Sequence, residues 1–375
     1  MKKVKVAFCL RDMQLGGVES VLIRTLEQLV LDKKFDITVV TYVDLIEPTY
    51  VDWFRAHTNI KRIVLYPSKY FGTRMPRFFL WRVIKHLCRD VYRAVRRKLF
   101  VPRMLGGYDT FIDYHDFGFA SELKKLSAKK IAWFHSGLNV FIKRKFVNRV
   151  SGYDKVVVLT DDCANDLRKL CPQYSDKFMR IYNPIDIQNI KMLAREKCPI
   201  SGQYFCCVAR MSYDKDIRTI MDAFDSVYRY YPDVRLVFVG SGDKLEVFKH
   251  YAAGLKSFKN IVFLGAQQNP FVYMKNAVAN ILSSNSEGLP TVLIESQAVG
   301  AINISSNCKY GPREILLGGD AGVLFEPGKA LELATRMIDV YEKRVDVRAM
   351  KNAATRGLIR FDKDEIMNQI KSLIS

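Results

Sequence analysis

Residues 286–295 read SEGLPTVLIE, in which two carboxylates stand eight positions apart on either side of a Gly-Leu-Pro turn. Pro290 suits the first position of a helix, because its fixed φ fits there and its missing N–H would have no partner. The N–H groups that follow are free at a helix start and form an anion site. The stretch therefore predicts a turn that holds Glu287 and a helix that carries Glu295 about a turn and a half inside.

This arrangement suits a ligand with phosphates in its middle and hydroxyls at both ends. A nucleotide-sugar has this form, with the ribose on one side of the pyrophosphate and the second sugar on the other. The alternative is a surface helix with two solvated glutamates, and spacing alone favours it, since short motifs match by chance. The remainder of the chain favours the ligand site.

Size and composition indicate a globular protein with room for two domains. The chain has 375 residues, of which 49% are hydrophobic and 26% are charged. No apolar run approaches the length of a membrane span, and the run at residues 4–10 is too short for a signal-peptide core. The eight cysteines form no C-x-x-C pair and no zinc spacing, so we interpret them as buried thiols of a reducing cytoplasm.

The net charge of +20 is concentrated in one segment, Lys61 to Arg103, which holds thirteen lysines and arginines and a single acidic residue, Asp90. Apolar residues recur there at spacings of three and four, which predicts an amphipathic helix with a stripe at Leu80, Ile84, Leu87, Val91 and Val95. Its other face carries six basic residues, namely Arg82, Lys85, Arg89, Arg93, Arg96 and Arg97.

The stripe itself is expected to pack as core on the sheet of its own domain, whereas the surplus of arginine needs a partner. Aromatic residues crowd the helix start at positions 78, 79 and 81. A basic face beside an aromatic-rich apolar face suits anionic lipid head groups. Nucleic acid would also be attracted, but its aromatic contacts would interleave with the charges, so a membrane surface is favoured and no nucleic acid is expected.

Apolar and β-branched runs alternate with helical patterns twice over, which predicts two Rossmann-like domains, each a doubly wound parallel sheet covered on both faces. The ligands of such sheets bind at the carboxyl ends of the strands, so the two domains are expected to face each other across a cleft. The predicted strands are Val4–Leu10, Ile37–Tyr42, Ile63–Tyr66, Thr110–Tyr114, Lys130–Phe134, Lys155–Leu159, Tyr204–Val208, Arg235–Val239, Asn260–Leu264, Val278–Ser283, Ile302–Ser305 and Gly322–Phe325.

The composition also predicts where the domains begin and end. An N-terminal domain is expected over residues 1–186, with the basic amphipathic segment at 74–103. A charged linker follows at 187–200, and a nucleotide-sugar-binding domain at 201–358. Residues 359–375 are expected to form a C-terminal helix that packs back on the N-terminal domain.

Several strands are followed by residues suited to bind a phosphorylated ligand. Gly16 and Gly17 follow the first strand, and such a turn lets backbone approach a ligand closely. Arg210 and Lys215 follow the first strand of the second half and can hold a pyrophosphate from two sides. Two basic side chains near a turn are more often solvated. Arg210 and Lys215, however, lie in the same predicted domain as the helix that carries Glu295.

Three further strand ends complete this set. His135 follows a buried strand, where a histidine faces a cleft more often than a core. Gly240 ends another strand in a Gly-Ser-Gly turn without the full dinucleotide fingerprint. The loop at 265–270, which contains Gln268, has backbone groups that could bind the edge of a nucleobase.

In order and spacing these residues resemble the glycosyltransferases of family 4, of GT-B architecture, over nearly the whole chain. The resemblance is weak at any single motif and specific in the combination. At Ile185 relatives often have glycine, so the turn there is expected to differ. The motifs that carry the resemblance are Gly16-Gly17-Val18-Glu19, His135, Asn183-Pro184-Ile185-Asp186, Arg210 with Lys215, Gly240-Ser241-Gly242, Asn269-Pro270 and Glu287 with Gly288-Leu289-Pro290 and Glu295.

The resemblance implies retaining transfer from a nucleotide-activated sugar, with the acceptor bound by the N-terminal domain. Arg210 and Lys215 would hold the diphosphate, and Glu295 the ribose hydroxyls. The catalytic residues would be Glu287, at the donor-sugar hydroxyls, and His135, beside the reacting carbon. The donor-binding set would be Gly16, Gly17, Arg210, Lys215, Gly240, Gln268, Gly288, Leu289, Pro290, Thr291 and Glu295.

Breaking the sugar–phosphate bond leaves negative charge on the diphosphate, which two cations and a helix N-terminus can stabilise in place of a metal. We therefore expect no metal and no cofactor beyond the donor, for which uridine is the favoured base. The acceptor is expected to be a lipid-linked sugar or a polysaccharide, and the enzyme to be peripheral at the inner face of the cell membrane. The alternatives are a sugar-nucleotide epimerase of related fold and a non-catalytic protein that binds membrane surfaces.

Overall fold

The computed structural model describes residues 3–13, 17–67 and 79–375, the side chains of 79–86 excepted. The chain divides into two compact units. Unit 1 comprises Met1–Val158, Ala164–Ile181 and Met367–Ser375, and unit 2 comprises Leu159–Cys163 and Tyr182–Ile366. The predicted architecture of two parallel α/β sheets is confirmed.

In the described part of unit 1, seven parallel strands form one sheet in the order β3-β2-β1-β4-β5-β6-β7. Its inner strand β1 is buried from its third residue onward, as expected for a strand with covered faces. Val6 of β1 lies between Ile37 of β2 and Thr110 of β4. The strands are β1 Val4–Leu10, β2 Phe35–Thr41, β3 Lys61–Val64, β4 Thr110–Asp113, β5 Lys129–Phe134, β6 Lys155–Val158 and β7 Phe178–Arg180.

The helices before residue 182 fill the crossovers between these strands. The helical pattern of apolar residues over 18–31 predicts the first of these helices, and α1 covers residues 17–29. The helices are α1 Gly17–Leu29, α2 Pro48–Ala56, α3 Phe79–Leu99, α4 Val101–Met104, α5 Ala120–Leu123, α6 Leu138–Lys143, α7 Val147–Val150 and α8 Asp161–Leu170.

Unit 2 repeats the plan with six parallel strands in the order β10-β9-β8-β11-β12-β13. Phe205, Phe238 and Ile304 are fully buried and lie in one core between this sheet and its helices. The strands are β8 Tyr204–Val208, β9 Arg235–Val239, β10 Ile261–Phe263, β11 Ala279–Leu282, β12 Asn303–Ser306 and β13 Val323–Phe325. The helices of the chain from residue 187 onward are α9 Ile187–Leu193, α10 Ile217–Tyr228, α11 Leu245–Ala252, α12 Phe271–Asn276, α13 Thr291–Ala298, α14 Pro312–Ile315, α15 Ala330–Tyr341, α16 Val347–Leu358 and α17 Lys363–Ile374, the last of which is shared between the units.

The expected linker over 187–200 is wrong in its first half, which forms α9. The side chain of Asp186 caps this helix by accepting the N–H of Asn189 at 3.0 Å. Ile187 and Ile190 are buried, so the helix packs as part of unit 2. The charged residues that suggested a linker lie on its exposed side and just after its end.

The chain ends in α17, whose last eight residues belong to unit 1 together with Ser375. The hydroxyl of Thr110 donates to the carbonyl of Ile374 at 3.2 Å, and Lys371 pairs with Asp32 at 3.2 Å. The helix begins only at Lys363, after a 3₁₀ turn over Ile359–Phe361.

The apolar stripe of α3 is exposed, and the expectation that it packs as core is wrong for its described side chains. Leu87, Val91, Val95 and Leu99 are 64%, 55%, 47% and 53% exposed. The side chains of Leu80 and Ile84, and those of the bases Arg82 and Lys85, lie outside the described residues. None of the described helices has the length and hydropathy of a membrane span.

Helix α3 packs on the rest of unit 1 through its basic face instead. Arg96 Nε donates to the carbonyl oxygen of Leu65, and the guanidinium of Arg93 lies 5.8 Å from the centre of the Tyr66 ring. An arginine has a long apolar stem and a planar head that can stack on rings, so a basic face can pack as an apolar one does. The apolar stripe is thereby turned to solvent.

Candidate functional site

The carboxyl edge of the unit 2 sheet holds a cavity of about 330 Å³. Arg210 lies two residues beyond β8, Gly240 directly follows β9, and Glu295 reaches the cavity from α13. Because parallel strands end at one edge of a sheet, residues far apart in sequence meet there. The structure thus brings together three of the predicted donor-binding residues.

The turn after β9 depends on glycine. Gly240 has a φ of 139°, and a Cβ on it would lie 2.0 Å from the carbonyl oxygen of Ala209. The N–H of Met211 donates to the carbonyl of Ser241 at 3.0 Å, so the loops after β8 and β9 lie against each other. A side chain at position 240 would therefore force the loops after β8 and β9 apart.

A chain of ion pairs runs from Arg210 to Glu287 beside the cavity. Asp214 Oδ2 lies 3.6 Å from Arg210 Nη2 and 3.8 Å from Lys215 Nζ. Lys215 Nζ in turn lies 2.6 Å from Glu287 Oε1. The side chains of Lys215 and Glu287 are only 19% and 11% exposed, which strengthens their attraction above that of a surface pair.

The two cations of this ion-pair network also set the ionisation of Asp214, the carboxylate between them. Burial alone would raise the pKa of Asp214, but a hydrogen bond from Ser212 and the positive charges of Lys215 and Arg210 hold it below its usual value. Asp214 is therefore ionised at neutral pH and links the two cations.

The Lys215–Glu287 pair is held by the backbone on both sides. Lys215 ends a 3₁₀ turn, and the hydroxyl of Ser283 donates to its carbonyl at 2.8 Å. The N–H of Glu287 donates to the carbonyl of Lys309 at 2.9 Å, and its Oε1 accepts the hydroxyl of Ser284 at 2.5 Å. The two side chains are thus fixed before any ligand arrives.

One sequence prediction about this edge needs correction. Pro290 is the N-cap residue and not the first helical residue, because its ψ of 89° is outside the helical range, and α13 begins at Thr291. Gln268 is exposed and its neighbour Gln267 lines the cavity, so the donor-binding role of Gln268 stays a prediction. The side-chain amide of Gln267 donates to the carbonyl of Leu264 at 2.9 Å, which fixes it at the cavity wall.

The other predicted residues of this loop lie close to these. Leu289 and Pro290 are buried, while Gly288 and Thr291 are half-buried. Of the N-terminal pair, Gly17 is the first residue of α1 and Gly16 lies outside the described residues.

In unit 1, His135 follows β5 directly, and its ring nitrogen Nε2 is buried without a hydrogen-bond partner among the described residues. Its backbone N–H donates to Asp116 Oδ1 at 2.8 Å, and its ring centre lies 4.7 Å from that of Tyr114. Burial lowers the pKa of His135 to about 4, although the charge of Asp116 opposes the shift. The imidazole is therefore neutral at pH 7.

The sequence analysis missed a second group of polar residues around His135. His115 Nε2 lies 3.7 Å from Glu19 Oε1, and its Nδ1 accepts the N–H of Arg11 at 3.2 Å. Asp116 accepts both the His135 N–H and the hydroxyl of Ser136. His115 and Asp116 follow β4 directly. A search for polar residues after the end of that strand would have found them.

Comparison with known proteins gives a family for the unit 2 half. Residues 194–357 match the model of the family described as glycosyl transferases group 1, a span that includes Arg210, Lys215, Glu287 and Glu295. An uncharacterized glycosyltransferase of Methanocaldococcus jannaschii is 23% identical over 89% of this chain and 91% of its own.

Two further proteins are similar. One is the N-acetylgalactosamine-N,N'-diacetylbacillosaminyl-diphospho-undecaprenol 4-alpha-N-acetylgalactosaminyltransferase of Campylobacter jejuni, 23% identical over 65% of this chain and 66% of that protein. The other is the solved structure of Alr3699/HepE from Anabaena in complex with UDP. It superposes with a TM-score of 0.76 over 98% of this chain and 99% of its own, at 17% identity.

The ionisation of His135 can be tested by NMR titration of its imidazole. We expect it to stay neutral at pH 7 and to titrate near pH 4, because protonation would place a charge in a buried site. Since its folded pKa lies below its unfolded value, its stability contribution is present above about pH 6.5 and is lost as the pH falls toward 4. The Tm of the wild type should therefore fall more over that range than that of His135→Gln. A midpoint at or above pH 6.5 would contradict the buried, neutral ring.

Proposed function

We propose that this chain, a member of the group 1 glycosyl transferases, moves a hexose-type sugar from a UDP-sugar to a lipid-linked or polysaccharide acceptor, with retention of the anomeric configuration. The reaction would serve the synthesis of a cell-surface glycan. The observation that carries the proposal is the series of ion pairs that links Arg210 to Glu287. This series lies beside the cavity that Glu295 lines. The UDP in the similar Anabaena structure supports the choice of nucleotide.

In this proposal the nucleoside occupies the unit 2 cavity. The carboxylate of Glu295 accepts hydrogen bonds from the ribose hydroxyls, and Arg210 and Lys215 hold the diphosphate. An ammonium group has three N–H donors, so Lys215 can keep its bond to Glu287 and still donate to a phosphate oxygen. The uncapped N–H groups at the start of α13 add a partial positive charge.

The chemical step follows from these charges. When the bond between the anomeric carbon and the phosphate oxygen breaks, negative charge develops on the diphosphate, where Arg210 and Lys215 stabilise it. No metal is part of the proposal, because these cations supply the charge. Glu287 is engaged by Lys215 and Ser284, which suits it to position sugar hydroxyls and not to attack carbon.

Retention would then follow a front-face course. The acceptor hydroxyl attacks the anomeric carbon on the face from which the diphosphate departs, and the leaving phosphate oxygen takes the acceptor proton. The resemblance assigns His135 to the reacting sugar, and its neutral imidazole is suited to a hydrogen bond with a sugar hydroxyl. The epimerase alternative is not favoured, since the similar proteins are glycosyltransferases.

We further propose that α3 attaches the enzyme to an anionic membrane. Leu87, Val91, Val95 and Leu99 form an exposed apolar stripe, and Arg97 beside them is exposed. An exposed apolar stripe can insert at a lipid surface, and the basic residues beside it are attracted to anionic head groups. The Campylobacter relative acts on an acceptor with a diphospho-undecaprenol carrier, which supports a lipid-linked acceptor here.

The transfer proposal is tested by product analysis with a panel of UDP-hexoses. The wild type should release UDP and form a glycoside, with or without a chelator. Glu287→Gln should lower transfer at least tenfold, about 1.4 kcal/mol or more, because it loses the charged acceptor for sugar hydroxyls and the ion pair with Lys215.

The control is Glu246→Gln, which removes an equivalent charge from an exposed glutamate on α11. It should transfer at the wild-type rate. Unchanged turnover in Glu287→Gln would remove that residue from the site. An isomerised sugar nucleotide would indicate an epimerase, and a strict need for a divalent metal would contradict the proposed role of Arg210 and Lys215.

Membrane attachment is tested by vesicle flotation of the triple variant Leu87→Ser, Val91→Ser and Val95→Ser. Binding to anionic vesicles should fall at least tenfold, because three partly inserted apolar side chains are lost. The control is Leu331→Ser, since Leu331 is 77% exposed on α15 and lies outside the stripe. A wild type that ignores anionic vesicles at low salt would refute the attachment.

A further inference from the structure

Glu287 lies at the end of a short path of buried serines that starts on β12. Ser306 and Ser284 are both fully buried. The hydroxyl of Ser306 donates to the carbonyl of Ser284 at 2.7 Å, and the hydroxyl of Ser284 donates to Glu287 Oε1 at 2.5 Å. A hydroxyl has a single proton to donate, so Ser284 directs its proton to Glu287. Because its side chain is sealed from solvent, Ser284 acts on a ligand only through that carboxylate.

The loop that carries Ser284 is fixed by other bonds on both sides of this residue. The hydroxyl of Ser283 donates to the carbonyl of Lys215 at 2.8 Å. The N–H of Asn285 donates to the carbonyl of Asp214 at 3.1 Å. These bonds hold the loop whether or not Ser284 has a hydroxyl. Removing that hydroxyl therefore releases the carboxylate that it holds and leaves the loop in place.

The two side-chain donors that Glu287 receives reach the same oxygen. Lys215 Nζ lies 2.6 Å from Oε1, and the Ser284 hydroxyl donates to Oε1 as well. A carboxylate oxygen has two lone pairs, so these two donors fill Oε1. Among the described residues none donates to Oε2, and this atom is not sealed from solvent. The carboxylate thus offers one oxygen, and not two, to a ligand.

We propose that Ser284 is a positioning residue of the transfer reaction, an assignment that rests on the proposed function. Together with Lys215 it occupies Oε1 of Glu287 and fixes the carboxylate, so that Oε2 is the atom that accepts a hydroxyl of the donor sugar. Without the Ser284 hydroxyl, Oε1 has a free lone pair and the carboxylate can turn about its last bond. The sugar hydroxyl then has two oxygens to choose from, and the anomeric carbon is no longer held in one place, which slows transfer.

The first test compares steady-state transfer from the best UDP-hexose donor, and calorimetric UDP affinity, in variants of the full chain. Ser284→Ala should lower kcat at least tenfold with a smaller change in KM, and UDP affinity should stay within twofold because UDP has no donor sugar. Ser284→Cys should lie between Ser284→Ala and the wild type, since a thiol is a weaker donor than a hydroxyl. The matched control is Ser257→Ala, which removes a fully buried hydroxyl of unit 2 that has no hydrogen-bond partner among the described residues. It should match the wild type in both measurements.

The second test uses UDP-hexoses that each lack one hydroxyl of the sugar. The wild type should discriminate at least tenfold against the donor that lacks the hydroxyl bound by Oε2. This discrimination should fall at least threefold in Ser284→Ala and disappear in Glu287→Ala. A serine that only stabilised the fold would, when replaced, slow the transfer of every donor by the same factor.

Three results would overturn the positioning role of Ser284. These are wild-type transfer by Ser284→Ala, a loss of UDP affinity as large as the loss of transfer, and unchanged discrimination among the deoxygenated donors. If Ser284→Ala does not fold, as judged by its Tm, the same criteria apply to Ser284→Cys. A wild type that transfers sugar but does not depend on Ser284 refutes this inference alone. A wild type that binds no UDP or transfers no sugar refutes the proposed function, and the inference with it.

Discussion

The ion pair between Lys215 and Glu287, 2.6 Å apart and largely buried, is the interaction on which the carboxyl edge of the unit 2 sheet depends. It joins the loop after β8 to the loop after β11, which are 72 residues apart in sequence. Breaking one partner would leave a charge with little solvent around it, which is costly. The pair therefore fixes both loops and presents a cation and a carboxylate at known positions.

The parallel sheet supplies the second constraint. Every strand of a parallel sheet ends at the same edge, so the chain needs only polar residues just after its strands to build a site. In unit 2 this places Arg210, Gly240 and Glu287 together. In unit 1 the same rule places His115 and Asp116 after β4 beside His135 after β5. Each unit thus carries a polar site on a core of apolar strands.

The two parallel sheets and most of the polar residues at their strand ends could be predicted from the sequence. Buried parallel strands are continuous apolar runs, and glycines and charged residues mark their ends. Strand β7, Phe178–Arg180, was missed because it contains no β-branched residue and lies at the edge of the sheet, where only Phe178 is buried. In the loop before α12 a shift of one residue put Gln267 and not Gln268 at the cavity, since loop direction has no periodic signal.

The orientation of α3 shows a second limit. Periodicity gives two faces but does not say which one packs, and the stems of Arg93 and Arg96 proved able to replace an apolar stripe. The Lys215–Glu287 pair had no local signal either, because its partners are distant in sequence. Tertiary contacts of this kind need the folded coordinates.

The most direct test of the central claim is calorimetric binding of UDP and of uridine to the wild type and to Lys215→Ala. If the ion-paired Lys215 holds the donor diphosphate, the variant should lose at least tenfold in UDP affinity, since a charge-assisted hydrogen bond is worth about 1.5–3 kcal/mol. Uridine affinity should not change, and Lys249→Ala, which breaks an exposed pair with Glu246 on α11, should bind both ligands normally. Equal UDP affinity in Lys215→Ala and wild type would contradict the claim.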